Sequence, residues 1–225
     1  MDRVGSTPSV RTNPLTVWLP GLGLNYAISE SAHIFSGVHK GFIPPGSNDE
    51  TTAETSINAE LGFRFDGGFW SGQAVAFNNI YQNLLGADLA ATGGLGSGDL
   101  FNGGSDRTQG FELEAACNAF AADSKWAMPI RLSYTYTNAQ FTSAFESEYD
   151  PWDVVVDGDY MPYLSPHQLS LQVAMQNEKW SLETNTRYVA AMRTSAGQGS
   201  INLQEATDES IILDAVVRCE LRPDL

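Results

Sequence analysis

The side chains of this chain that could do chemistry are few, and they form no catalytic constellation. There is no Gly-x-Ser-x-Gly, no His-Glu-x-x-His and no phosphate loop. Glu112 and Glu114 stand two residues apart, as neighbours on one strand face do, and paired carboxylates can share acid and base work. On a polar strand face the simpler assignment is charge pairing across strands, with Arg131 as a partner. Four other residues suit anion recognition. Arg193 lies in Met192-Arg-Thr194 at the base of a long loop, and Arg187 shares the parity of Glu183 and Asn185. His39 and Lys40 precede Gly-Phe-Ile-Pro-Pro. A guanidinium grips a carboxylate bidentately, although each of these residues could instead serve a structural salt bridge. Two cysteines, three histidines and no Cys-x-x-Cys give no metal-ligand spacing, so neither metal nor cofactor is expected.

What must hold these residues is a set of strands. Strict alternation of apolar and polar residues gives a strand two different faces. In 54–66, Ile57, Ala59, Leu61, Phe63 and Phe65 point one way, and Asn58, Glu60 and Arg64 the other. The pattern returns in Phe111 to Cys117, Ile130 to Tyr136, Leu169 to Met175 and Ile211 to Cys219. In the last of these, Ile212 and Val216 interrupt the polar face. Nine strands follow, at 16–27, 31–41, 54–66, 72–85, 108–118, 127–141, 167–177, 179–191 and 209–221. Most exceed the roughly 5–6 residues of soluble sheets and match the roughly 9–11 that cross a bilayer with a tilt.

The connections alternate. Those at 28–30, 67–71, 118–126 and 176–178 are short; those at 42–53, 86–107, 142–166 and 192–209 are long. In an antiparallel meander this puts every short turn at one end and every long loop at the other, the layout of outer-membrane barrels. Aromatics cluster near both ends: Phe65, Phe69, Trp70, Trp126 and Trp180 beside short turns, and Phe77, Tyr81, Tyr136, Phe141 and Tyr188 toward the long loops. They are expected to form two interfacial girdles. Cys117 and Cys219 fall four strands apart, about 19 Å at ~4.8 Å per strand, beyond the ~7 Å reach of a disulfide. They should be free and lipid-facing.

Bulk composition agrees. Charged residues are 17% of 225 residues, and no apolar run is long enough for a spanning helix. The net charge of −15 repels phosphate backbones, so nucleic acid is not a partner. The acids crowd the long loops, among them Asp49, Glu50, Glu148, Asp150, Asp157, Asp159, Glu205 and Asp208. They could meet lipopolysaccharide through bridging divalent cations. The opening Met1-Asp-Arg-Val-Gly5 carries no secretory leader.

Several stretches resemble the TonB-dependent receptors, in particular their ferric dicitrate receptor-like members. They are Leu19-Pro-Gly-Leu-Gly-Leu-Asn-Tyr26, Phe35-Ser-Gly-Val-His-Lys-Gly-Phe-Ile-Pro-Pro45, Ala59-Glu-Leu-Gly-Phe63, Asn102-Gly-Gly104, Gly110-Phe-Glu-Leu-Glu114, Met161-Pro-Tyr-Leu-Ser-Pro-His-Gln-Leu169 and Tyr188-Val-Ala-Ala-Met-Arg-Thr-Ser-Ala-Gly197. Their order and spacing cover nearly the whole chain. The resemblance implies a plugged, 22-stranded barrel in the Gram-negative outer membrane. Such a receptor captures a ferric chelate, citrate or a siderophore, and imports it with energy from TonB. The plug and the TonB-contacting segment would precede the matched part. Closing strands would follow Arg222-Pro-Asp-Leu225. The expectation is therefore an all-β, antiparallel, up-and-down transmembrane β-barrel segment spanning 1–225, an incomplete barrel of nine strands that meets TonB only through the missing amino-terminal part. It should not transport alone, because its two open edges are intolerable in lipid. The alternative is a soluble or surface β-sandwich that binds carbohydrate through its long loops. The two differ in what touches the apolar face: lipid in a barrel, a second sheet in a sandwich.

Overall fold

The computed structural model describes residues 16–45, 51–87, 100–121 and 123–221. The amino-terminal Met1-Asp-Arg-Val-Gly5, the acidic Asp49 and Glu50, and Arg222-Pro-Asp-Leu225 lie outside them. Nine strands form one sheet: β1 (Gly21–Ala27), β2 (Ala32–Ile43), β3 (Glu54–Asp66), β4 (Trp70–Gln82), β7 (Asp106–Asn118), β8 (Pro129–Phe141), β11 (His167–Gln176), β12 (Trp180–Val189) and β13 (Ser210–Cys219). Four two- and three-residue strands sit in the long loops, as the pairs β5 (Leu85–Ala87) with β6 (Leu100–Asn102) and β9 (Phe145–Glu146) with β10 (Val154–Val155).

In the large sheet each strand pairs antiparallel with the next. The long meander expected from the alternation is the one observed. Two ends differ from the expectation for local reasons. β1 opens at Gly21 rather than near residue 16, because Pro20 has no N–H to give the ladder; its carbonyl still accepts from Lys40 N at 2.9 Å. β4 stops at Gln82 because Asn83 turns left-handed, with φ 55°.

The short turns are closed by local polar bonds. Asn177 N donates to Trp180 O at 2.8 Å, while its Oδ1 accepts from Lys179 N and Trp180 N, both at 2.8 Å. Gly67 N donates to Trp70 O at 2.8 Å, and Gly68 supplies the positive φ of 78° that the turn requires.

Residues opposite one another in the register share a face. One lateral row runs Tyr26, Ile34, Phe63, Ala74, Leu113, Tyr134, Leu169, Tyr188, Ile211. The next row on the other face runs His33, Arg64, Gln73, Glu114, Ser133, Ser170, Arg187. One face of the sheet is thus apolar and the other polar. No second layer covers the apolar face among the described residues: Leu24, Leu61, Ile211, Leu213 and Val217 are 59–71% exposed. A sandwich would bury them, so the sandwich reading fails here. Cys117 and Cys219 are free and lie on the apolar side, four strand steps apart.

The buried core sits in the long loops instead. Phe141, Tyr149, Trp152 and Val155 form it, with Leu84, Phe101, Phe145, Met161 and Ala196 packed around. Trp152 meets Phe101, Phe141, Phe145 and Tyr149 with ring centroids 5.1 to 5.8 Å apart. This knot explains Asn102-Gly-Gly104. A Cβ on Gly103 would come within 2.4 Å of Trp152 Cζ3, and one on Gly104 within 2.1 Å of Ser143 Oγ. The Asn102 side chain accepts from Thr52 N at 2.6 Å and donates to Thr52 O and Asn83 O, both at 3.0 Å, so it ties two loops together.

Five of the expected girdle aromatics, Phe65, Trp70, Trp180, Tyr136 and Tyr188, lie on the apolar face. Three do not. Phe77 and Tyr81 carry the parity of the polar face, and Phe141 is fully buried in the loop knot. Phe111, Tyr134 and His167 join Tyr136 in one ring-to-ring belt on the apolar face, with centroids 5.2 to 6.2 Å apart.

Candidate functional site: the polar wall and the outer rim

The polar face is a wall of paired and unpaired charges. Arg64 donates through Nε and Nη2 to Gln73 Oε1, at 3.3 and 3.1 Å, and Gln73 Nε2 donates to Glu114 Oε2 at 3.1 Å. The amide thus relays between a cation on β3 and a carboxylate on β7. Arg131 stands opposite Ala116 rather than Glu114; it joins Glu114, Gln73 and Arg64 in lining a groove of 480 Å³. The partner expected for Glu114 was one row off, because the register pairs Glu114 with Ser133. Nearer the short-turn end, Arg218 and Glu183 form a direct ion pair.

Arg187 faces the same wall, opposite Ser170 and Ile212, two residues from the outer end of β12. Its guanidinium is exposed and, among the described residues, makes no hydrogen bond or ion pair. His39 lies in a separate groove of 410 Å³ with Asn58, Glu60, Asn79 and Glu112. It is six strand steps from Arg187, roughly 29 Å along the wall at ~4.8 Å per step. The structure therefore does not bring these two candidates together.

Lys40 does not join His39. It pairs with Ile57 and so points to the opposite, apolar side. It opens a row at the outer edge of that side: Lys40, Ile57, Ile80, Arg107, Gln140, Tyr160. The charges in this row stand one row beyond Val38, Ala59, Asn78, Gln109 and Asn138, the mixed row in which the apolar band ends. Strand ends beyond it, including Asp106, stand above the band, among the loops.

Arg193 belongs to this outer rim as well. Its guanidinium lies over the Tyr160 ring at 5.0 Å and donates to Gly197 O at 2.5 Å and Gly199 O at 2.9 Å. It lines a cleft of 290 Å³ with Tyr136, Asn138, Tyr160 and His167, all four on the outward parity by register or bridge. Sequence reasoning missed Arg107 and Tyr160. Arg107 fell one residue outside the expected strand 108–118, where parity would have placed it.

Above the band, Asp106 is 1% exposed and its Oδ1 has no hydrogen-bond partner. Burial pushes its carboxyl up to about 6, opposed by the hydrogen bond from Thr108 Oγ1 to Oδ2 at 2.8 Å and reinforced by the nearby Glu54.

The chain matches the family model described as TonB dependent receptor-like, beta-barrel, over residues 2–219. No curated protein matches it. Among solved structures it is similar to the ferric-catecholate import receptor Fiu of Escherichia coli, with TM-score 0.65 and 17% identity over 90% of this chain and 28% of that one. It is also similar to the ferric enterobactin receptor of Pseudomonas aeruginosa, with TM-score 0.62 and 18% identity over 92% of this chain and 33% of that one. The FrpB iron transporter of Neisseria meningitidis matches with TM-score 0.61 and 15% identity, over 90% and 32% of the respective chains. At these identities the likeness is one of fold. The chain spans about a third of the length of the structures it matches.

Proposed function

Because the chain belongs to the TonB-dependent receptor-like β-barrel family, we propose that it is part of the wall of an outer-membrane receptor that takes up a ferric chelate, a siderophore or ferric citrate. The observation that carries this reading is the division of the single sheet into an uncovered apolar face and a polar face with an unpaired cation near the loop end. The first suits lipid; the second suits a wet lumen that receives an anionic ligand. The resemblance of the fold to receptors titled for ferric catecholates and ferric enterobactin supports an iron chelate as the cargo. TonB would couple energy through a part of the receptor outside these strands.

Arg187 and His39 are the side chains we assign to the lumen's anion path. Arg187 has all its donors free among the described residues, and a charge-assisted hydrogen bond is worth about 1.5–3 kcal/mol, roughly ten- to a hundredfold in affinity. In the full-length receptor, Arg187→Gln should weaken binding of the iron-loaded chelate by about that factor, measured by fluorescence titration with ferric citrate and with a ferric catecholate. An unchanged affinity for both would remove Arg187 from the path.

A further inference from the structure

We propose that the groove beneath His39 on the polar wall binds a hydroxyl-rich ring, the chemistry of a hexose, through Glu60, Glu112, Asn58, Asn79 and the ring of Phe77. This rests on the receptor reading and deepens it. The hydroxyls belong either to a sugar carried by the chelate or to a free sugar.

The first observation is the charge of the groove. Its 410 Å³ are lined by two carboxylates, two amides and one imidazole, with no Lys or Arg. Glu60 and Glu112 are exposed, and neither makes a hydrogen bond or ion pair among the described residues. His39 caps the loop side, where an arriving anion passes; below it the free acceptors repel a bare anion. The groove is therefore no second seat for the charge that Arg187 receives six strand steps away. Carboxylates accept hydroxyl protons in short, charge-assisted bonds.

The second observation is the aromatic ring. Phe77 pairs with Glu60 on one side and Gly110 on the other. A Cβ on Gly110 would lie 2.8 Å from Phe77 Cζ, so the ring lies across the bare glycine. Phe35 crosses Gly62 in the same way, with a Cβ there 2.2 Å from its Cζ, but Arg64 covers that ring at 5.3 Å. Phe77 carries neither a cation nor another ring among the described residues. It is left for the C–H side of a pyranose.

Spacing is the third. Glu60 and Glu112 stand two strands and one row apart, roughly 12 Å between Cα atoms at ~4.8 Å per strand and ~3.4 Å per residue. Hydroxyls spread around a ring span this distance without drawing the two like charges together, which a single ammonium would have to do. The Asn58 and Asn79 amides offer donors as well as acceptors; hydroxyls use both, and an ammonium uses acceptors alone.

The test titrates the full-length receptor in detergent with three forms of one ferric catecholate: plain, glucosylated, and bearing an ammonium group in place of the glucose. Methyl glucoside alone is the fourth probe. A hydrogen bond to a charged acceptor is worth roughly ten- to a hundredfold in affinity, and the glucosylated chelate should exceed the plain one by that factor. Glu112→Gln, an exposed isosteric change, should reduce the ratio about tenfold, and adding Glu60→Gln should bring it close to one. Saturable binding of methyl glucoside, lost in the double variant, would identify the free sugar as the source. Its absence, with the glucosyl advantage kept, would identify a sugar on the chelate. A ratio of one in the wild type without methyl glucoside binding would overturn the sugar groove and leave the chelate reading standing. So would a ratio unchanged in the double variant, or a larger gain from the ammonium than from glucose. Binding of methyl glucoside with no binding of any chelate would remove the chelate reading and keep the groove.

Discussion

The aromatic knot makes the long loops a folded cap, and Trp152→Ala tests this most directly. Trp152 is 8% exposed and touches four aromatic rings. Truncating a buried Trp costs about 3–5 kcal/mol, through lost transfer energy and the cavity left behind. If the cap opens separately from the sheet, that loss falls on its own opening equilibrium, a factor of roughly 10² to 5 × 10³. Hydrogen exchange reads it amide by amide. The reporters are amides that only the folded loops protect: Gly103 N on Leu84 O at 2.7 Å, Ser147 N on Asp153 O at 2.9 Å and Ala196 N on Pro151 O at 2.8 Å. They should exchange faster by about that factor, limited by the cap's own stability. Amides in the middle of β7 and β8 should not change. Unaltered exchange at the three reporters would show that Trp152 does not hold the loops. Equal acceleration in the strands would show that cap and wall unfold as one unit.

Three further outcomes follow from the geometry. Asp106 has its carboxyl raised to about 6, so between about pH 4 and 6 the folded cap binds more protons than the unfolded chain. Its stability is therefore full below pH 4 and falls as pH climbs through 6. The loss is on the order of 2–3 kcal/mol by the usual 1.36 kcal/mol per unit. Asp106→Asn should flatten this profile in loop hydrogen exchange taken from pH 4.5 to 7.5, and a profile that keeps its slope would place the titration elsewhere. Gly110→Ala should destabilise the β7–β8 pair by about 1–3 kcal/mol, because a Cβ there would lie 1.9 Å from Tyr136 O. Urea unfolding of the receptor in detergent measures it, and an unshifted midpoint would mean the register relaxes freely. Cys117 and Cys219 should give the same electrophoretic mobility with and without reductant, since four strand steps separate them; a reductant-dependent shift would contradict the strand order.

Much of this wall was legible in the sequence because a strand's period of two is written residue by residue. The face of Ile57, Ala59, Leu61, Phe63 and Phe65 needed no partner to be identified, and the alternation of short and long connections fixed which end each turn occupies. What a single strand does not write is its neighbour's register. That is why a strand pattern can offer Arg131 as a cross-strand partner for the Glu112 and Glu114 carboxylates, although the register pairs Glu114 with Ser133 and Arg131 with Ala116. A shift of two residues, one row on the same face, moves no side chain to the wrong face, yet it changes which charges meet.

The long loops were illegible for a different reason. Parity stops where the strand stops, so nothing in Met192-Arg-Thr194 says which way Arg193 turns. The answer comes from contacts distant in sequence: residue 160 bridges Gln140 on one side and Gly197 on the other, and the guanidinium follows that ring outward. The same geometry separates the four residues first singled out. Arg187 and His39 share the wall, whereas Lys40 and Arg193 share the rim. One residue step from His39 to Lys40 crosses the sheet, so adjacent basic residues at a strand's outer end face opposite sides of it. A cation near a loop base is therefore evidence for a lumen ligand only after its parity is known, and in this chain parity divides them evenly.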